Sequence, residues 1–264
     1  MTAQIDMISI KLSIHVFDEY NKTENISQNY FFKREFADCP DNYKLVTKLY
    51  STPYYGNKCF AGAIYYNETE KTYAIAFRGT KPAFEWFNNL SFKSISTENG
   101  MLHSGYKNLY NSFKKDIIEC INKICKIDEF EKIIVCGASL GGALSVMTVA
   151  DLIETFPDIK NKIHLVTFGC PHVVDEKMAN HITSNVQYVG TFERATDVVT
   201  TSLFGYHPVS SPVILESFGH KFWMYPLCHE INFYHKSLSN FHNIPYDKSS
   251  VVKTFKILEK YINP

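Results

Sequence analysis

The stretch "KIIVCGASLGGALSVMTVADL", Lys132 to Leu152, places a serine between two glycines, with an apolar run before it and a long helix-forming run after it. Few local arrangements satisfy that order. A short β-branched run ending at a glycine reads as a buried strand, and the Ala-, Leu-, Val- and Met-rich segment from Leu140 to about Glu154 reads as a helix. The G-x-S-x-G of residues 137–141 is then the turn joining them, where small residues let the backbone bend tightly. In that setting the Ser139 hydroxyl projects above the C-terminal edge of a sheet, at the positive end of a helix. The competing reading is a packing turn in which Ser139 only caps the helix.

The rest of the chain repeats the alternation. Strand-like runs "CFAGAIYYN", "TYAIAFRG", "HLVTFG" and "VQYVGTFE" are interleaved with helical patterns at about 105–125 and 177–185. That order predicts an α/β fold with a mostly parallel central sheet flanked by helices. Leu109, Phe113, Ile117, Ile121 and Ile124 form the apolar stripe of a helix packed on the sheet, and Val251, Phe255, Leu258 and Ile262 form another in the tail. No repeat, low-complexity segment or linker divides the sequence, so residues 1–264 read as one domain.

Composition enters by exclusion. Lys+Arg 27 against Asp+Glu 27 gives no net charge, so nothing steers the chain toward nucleic acid. No stretch has the roughly 18 uninterrupted apolar residues of a membrane span, and Asp6 and Lys11 interrupt the start where a signal peptide is apolar. The chain reads as soluble, without a transmembrane segment and cytoplasmic by default. Cysteines number 7, in no paired spacing, so reduced thiols and no metal site are expected.

A serine hydroxyl is a poor nucleophile unless a histidine accepts its proton and a carboxylate orients that histidine. "AFRGT" at 76–80, "HSGYKNLY" at 103–110, "GASLGGAL" at 137–144, "LVTFGCP" at 165–171 and "ATDVVT" at 195–200 together resemble successive blocks of the class 3 lipases. The resemblance implies the α/β-hydrolase fold, Ser139 as nucleophile and Asp197 as the acid. The fold's chain order of Ser, Asp, His then puts the histidine beyond Asp197. His207 and His220 fall too early; His235, before "KSLSNF", fits best, with His242 and His229 as alternatives. Ala138 stands where the family often has histidine, and "VVT" follows the acid where a proline is common.

The same resemblance makes the backbone amides of Thr80 and Leu140 the oxyanion donors. It also implies a lid over the site in "KPAFEWFNNLSF", built on Phe84, Trp86, Phe87 and Leu90, although aromatics at helical spacing also suit a helix packed permanently on the core. Asp175 reads as a helix start. The implied activity is hydrolysis of carboxylic esters of lipids, acylglycerols foremost, at a lipid–water interface and without metal or organic cofactor. Phospholipase A1, general carboxylesterase and a non-catalytic hydrolase-fold binding protein are the alternatives.

Overall fold

In the computed structural model the described residues are 2–23, 39–52, 58–79, 93–127, 129–201, 203, 205–216, 229 and 231–246. The strands are β1 (Lys44–Ser51), β2 (Cys59–Asn67), β3 (Thr72–Phe77), β4 (Ser94–Thr97), β5 (Gly100–His103), β6 (Lys132–Ala138), β7 (Ile163–Phe168), β8 (Tyr188–Arg194) and β9 (Val213–Leu215). The α-helices are α1 (Thr2–Thr23), α2 (Ser104–Asn111), α3 (Lys114–Ile127), α4 (Leu140–Thr155), α5 (Glu176–Asn185) and α6 (Ile231–Phe241). A 7-stranded sheet runs β1-β2-β3-β6-β7-β8-β9, and β4 and β5 form a separate hairpin. Strands β1 to β3 are antiparallel neighbours, and β3, β6, β7, β8 and β9 are parallel.

The central parallel strands are mostly apolar and buried on both faces. Alternate residues divide between two cores. Ile75, Phe77, Ile133, Val135 and Leu165 face a core shared with Leu109, Phe113, Ile117 and Ile121 of the α2–α3 region and with the inward face of α4. Ala74, Ala76, Ile134, Cys136, Val166 and Phe168 face the other core, filled by Ile10, Leu12, Ile14 and Val16 of α1 and by Tyr234 and Leu238 of α6. Strand β6, which leads into Ser139, lies between β3 and β7 as the fourth of the seven strands, so its C-terminal end emerges at the middle of the sheet.

Helix α1 was not legible in the sequence. It has no clean apolar stripe, because it is buried on most of its circumference, polar residues included: Ser9, Ser13, Asp6 and Asp18 are all nearly inaccessible. The hydroxyls of Ser9 and Ser13 bond back to the carbonyls of Ile5 and Ser9, at 2.6 and 2.8 Å, so their burial leaves little unsatisfied. The helix expected across 105–125 is two helices, interrupted at Ser112 and Phe113, with the Ser112 hydroxyl donating to Leu109 O at 2.7 Å. Its five stripe residues remain buried on one core. Asp175 does start a helix, accepting from Met178 N at 2.9 Å as the N-cap of α5. The expected tail helix at 251–262 lies outside the described residues.

Candidate active site

The turn between β6 and α4 is built by close backbone packing. A Cβ on Gly137 would stand 2.3 Å from the carbonyl of Gly141, and one on Gly141 would stand 2.3 Å from Phe77 O. No side chain fits at either position, so the glycines of the pentapeptide let strand, turn and helix touch. Ser139, between them, has φ 55° and ψ −124°. A non-glycine residue in that region costs on the order of 1–3 kcal/mol and persists only where its surroundings impose it. Here Ser139 N donates to Phe168 O at 2.9 Å, and Ser139 O accepts from Ala143 N at 3.2 Å. Its side chain makes no helix-capping bond, which leaves the capping explanation of this serine without support.

Leu140 occupies the first position of α4, where a backbone N–H has no intrahelical acceptor. That amide is the donor the sequence pointed to. Thr80, its expected partner, lies outside the described residues, as do Phe84, Trp86, Phe87 and Leu90 of the expected lid.

Asp197 sits in the turn after β8, its N–H bonded to Arg194 O at 2.9 Å. Its carboxylate is inaccessible. Oδ1 accepts from Val199 N at 3.0 Å, and Oδ2 accepts both from His229 Nδ1 at 2.7 Å and from the Tyr234 hydroxyl at 2.6 Å. Two features make room for this. Gly169, at φ +54°, stands where a Cβ would come 2.9 Å from Asp197 Oδ2 and 3.0 Å from Tyr234 Oη. Tyr234 Oη in turn accepts from Arg194 N at 3.2 Å, which fixes the direction of its proton. Burial, and then the Asp197 charge, push the Tyr234 phenol well above its ordinary value, so it stays a donor at any working pH.

The imidazole beside the acid is therefore His229, and not the expected His235. Tyr234, in the first turn of α6, presents its hydroxyl to Asp197. His235 is the next residue, about 100° further round the helix, and cannot share that face. It is fully buried, with its ring 5.2 Å from that of Tyr246. His242 is engaged elsewhere, at 3.0 Å from Asp6. Phe233 and Tyr234 follow His229 as Phe241 follows His235, so an aromatic after the histidine does not separate the two.

With Nδ1 given to the carboxylate, His229 Nε2 has no hydrogen-bond partner among the described residues. A neutral imidazole held this way carries its lone pair on Nε2, the state of a general base. The serine and the acid share one framework: Ser139 N holds the carbonyl of Phe168, and Gly169, the next residue, abuts Asp197. No group of three or more His, Cys, Asp or Glu suited to a metal ion occurs among the described residues.

The sequence profile described as Lipase (class 3) matches residues 74–206, half of the chain. The chain belongs to the class 3 lipases. A lipase of Rhizomucor miehei is 26% identical over 157 residues, which make up 56% of this chain and 41% of that protein. This class 3 chain thus spans less than half the length of that relative. Among solved structures, a propeptide complex of Rhizomucor miehei lipase superimposes with a TM-score of 0.65 at 20% identity, covering 81% of this chain and 69% of that one. A structure described as a triacylglycerol lipase whose catalytic centre is a serine protease triad does so with a TM-score of 0.60 at 19% identity, covering 81% and 78%. The fold shared with these fungal lipases is the α/β-hydrolase fold, with the mostly parallel, helix-flanked sheet expected from the sequence.

Proposed function

We propose that the chain hydrolyses carboxylic esters of lipids, acylglycerols foremost, through Ser139, His229 and Asp197. The observation that carries this reading is the Asp197–His229 pair: a buried carboxylate fixes one imidazole nitrogen and leaves the other without a partner among the described residues, while Gly169 against Asp197 adjoins Phe168, whose carbonyl holds the strained turn of Ser139. Ser139 Oγ attacks the ester carbonyl carbon while His229 Nε2 takes its proton, and Asp197 holds the tautomer and stabilises the imidazolium. The carbonyl oxygen becomes an oxyanion facing the Leu140 N–H, with Thr80 as the second donor. One such donor is worth about 3–4 kcal/mol in the transition state. The imidazolium then protonates the leaving alcohol, and a water activated by the same nitrogen releases the acid from Ser139.

Membership in the class 3 lipases supports the reaction class. Val198, directly after the acid and 51% exposed, offers an apolar surface beside it, which suits an acyl chain better than a polar substrate. No helix among the described residues is long and apolar enough to cross a membrane. The proposed substrate class is one that gathers at a lipid–water interface, where the reaction is proposed to take place.

A fluorophosphonate probe together with a panel of triglyceride, monoglyceride, phospholipid and p-nitrophenyl esters tests the proposal. The probe should label the protein on Ser139, Ser139→Ala should stay unlabelled, and acylglycerols should be cleaved faster than phospholipids. A wild-type protein that neither labels nor cleaves any of the esters would be a binding protein of the same fold.

A further inference from the structure

Asp197 is carried by a turn and not by the sheet. Strand β8 ends at Arg194, and residues 195–201 follow it as turns. Two local bonds make this segment stiff. Asp197 Oδ1 accepts from Val199 N at 3.0 Å, and the Thr200 hydroxyl donates back to Asp197 O at 3.0 Å. Side chains of this kind close turns by bonding the backbone two or three residues away. Thr200 is 2% exposed, so its hydroxyl competes with little water for that carbonyl.

Stiffness alone does not aim the carboxylate, because a rigid turn can still pivot on the strand that carries it. The near end is held by Asp197 N, which donates to Arg194 O at 2.9 Å. The far end is held from the loop after β7, where His172 N donates to Thr200 O at 3.3 Å. His172 is tied down in turn: its Nε2 donates to Glu193 Oε1 at 2.9 Å, and Glu193 lies in β8 with its side chain 7% exposed. The bonds therefore run from β8 through His172, Thr200 and Asp197 back to β8. Neither Glu193 nor His172 takes part in the proposed reaction. Displacing a catalytic group by about 1 Å costs on the order of 10²-fold in rate, so whatever sets the direction of this turn has a kinetic consequence.

We infer that Thr200 and His172 are positioning residues for Asp197: with Glu193 they close a hydrogen-bonded circuit that holds the acid's turn at both ends and keeps its carboxylate on His229. The inference rests on the proposed serine hydrolysis. Neither residue reacts; both act through the direction of the Asp197 carboxylate. The molecule then has a second buried acid–imidazole contact, Glu193 with His172, whose task is to orient the first.

The test measures three things in each variant: kcat and KM on a p-nitrophenyl ester, thermal unfolding, and the far-downfield proton resonance that His229→Ala abolishes. That resonance is the His229 Nδ1–H, held in a charge-assisted bond to Asp197. Thr200→Val removes the hydroxyl and keeps the shape, whereas Thr200→Ser keeps the hydroxyl. Thr200→Val should lower kcat about five- to ten-fold with KM within about two-fold, and should move the resonance upfield. Thr200→Ser should stay within about two-fold of wild type. His172→Phe should lower kcat about three- to five-fold, and His172→Gln, which can still donate to Glu193, should restore it. His172→Phe decides the matter if Thr200→Val does not fold. Tyr188→Phe, which loses a bond to Asp6 outside the circuit, is the control for lost stability. Unchanged kcat and resonance in Thr200→Val and His172→Phe, with only the unfolding temperature lowered, would overturn the inference. So would an equal loss of kcat in Tyr188→Phe. A wild type inert to fluorophosphonate and to every ester fails the hydrolysis reading itself, whereas an active wild type with unaltered variants refutes only the circuit.

Discussion

The molecule holds two carboxylates in nearly the same company. Asp197 receives the His229 imidazole and the Tyr234 hydroxyl. Asp6, on α1, meets His242 at 3.0 Å and receives the Tyr188 hydroxyl at 2.8 Å. Each cluster is also made room for by a glycine: Gly169 beside Asp197, and Gly190, whose Cβ would come 3.2 Å from Asp6 Oδ1. The two lie at opposite ends of β8, since Tyr188 begins that strand and Asp197 follows it. The parallel sheet gives the ends different prospects. At the C-terminal end stand the Ser139 turn and the amide of α4, so an imidazole at that end is the one proposed to serve Ser139. At the other end the same chemistry ties α1, β8 and the residue after α6 together. Composition does not distinguish the two clusters; position along the sheet does.

Single substitutions on paired positions can break that contrast. The largest effect is expected from His229→Ala, with kcat/KM falling about 10⁴- to 10⁶-fold, while His242→Ala leaves turnover within a few-fold and lowers the unfolding temperature. Equal losses of turnover for the two would erase the distinction. Next comes Asp197→Asn, expected to cost about 10⁴-fold in kcat by disturbing the imidazole's tautomer, with little change in KM. Tyr234→Phe should lower kcat about ten-fold, as one of three donors to Asp197 is lost, and Tyr188→Phe should cost about 1–2 kcal/mol of stability without altering kcat. Steady-state kinetics beside chemical denaturation separates these outcomes.

The smallest expected effect sharpens the comparison through pH. Burial raises the Asp6 carboxyl above its ordinary 3.8, against the hydrogen bond from Tyr188 and the attraction of His242 that pull it down. A raised carboxyl binds its proton more firmly in the folded than in the unfolded chain. Its contribution to stability is therefore greatest below the unfolded value and declines as pH rises from about 4 through the folded value. Asp6→Asn removes this slope, so the stability difference between wild type and variant should shift in favour of the variant as pH rises across that window. A difference independent of pH would show that the Asp6 cluster does not titrate.

Some of this was legible locally. The apolar run, the glycines and the helix-forming segment around Ser139 lie within about 20 consecutive residues, and each constrains its neighbours through short-range sterics, so strand, turn and helix followed from reading them in order. Asp175 as a helix cap was local in the same way. Helix α1 was not, because its burial is set by a sheet and a helix from distant parts of the chain rather than by a stripe of its own. Strand β9, with three residues, has too little pattern to announce itself.

The histidine marks the boundary between the two kinds of information. His229, His235 and His242 lie within 14 residues of one another and share aromatic neighbours, so the local segment that favoured His235 was a weak guide. Sequence by itself determined the fold class and the strand, turn and helix around Ser139, and its resemblance to a family placed the expected imidazole beyond Asp197. Tertiary structure decided which imidazole lies against Asp197, because a hydrogen bond of 2.7 Å depends on where β8 ends and which face α6 turns toward it. Those are long-range packing outcomes, and no residue's immediate neighbours encode them.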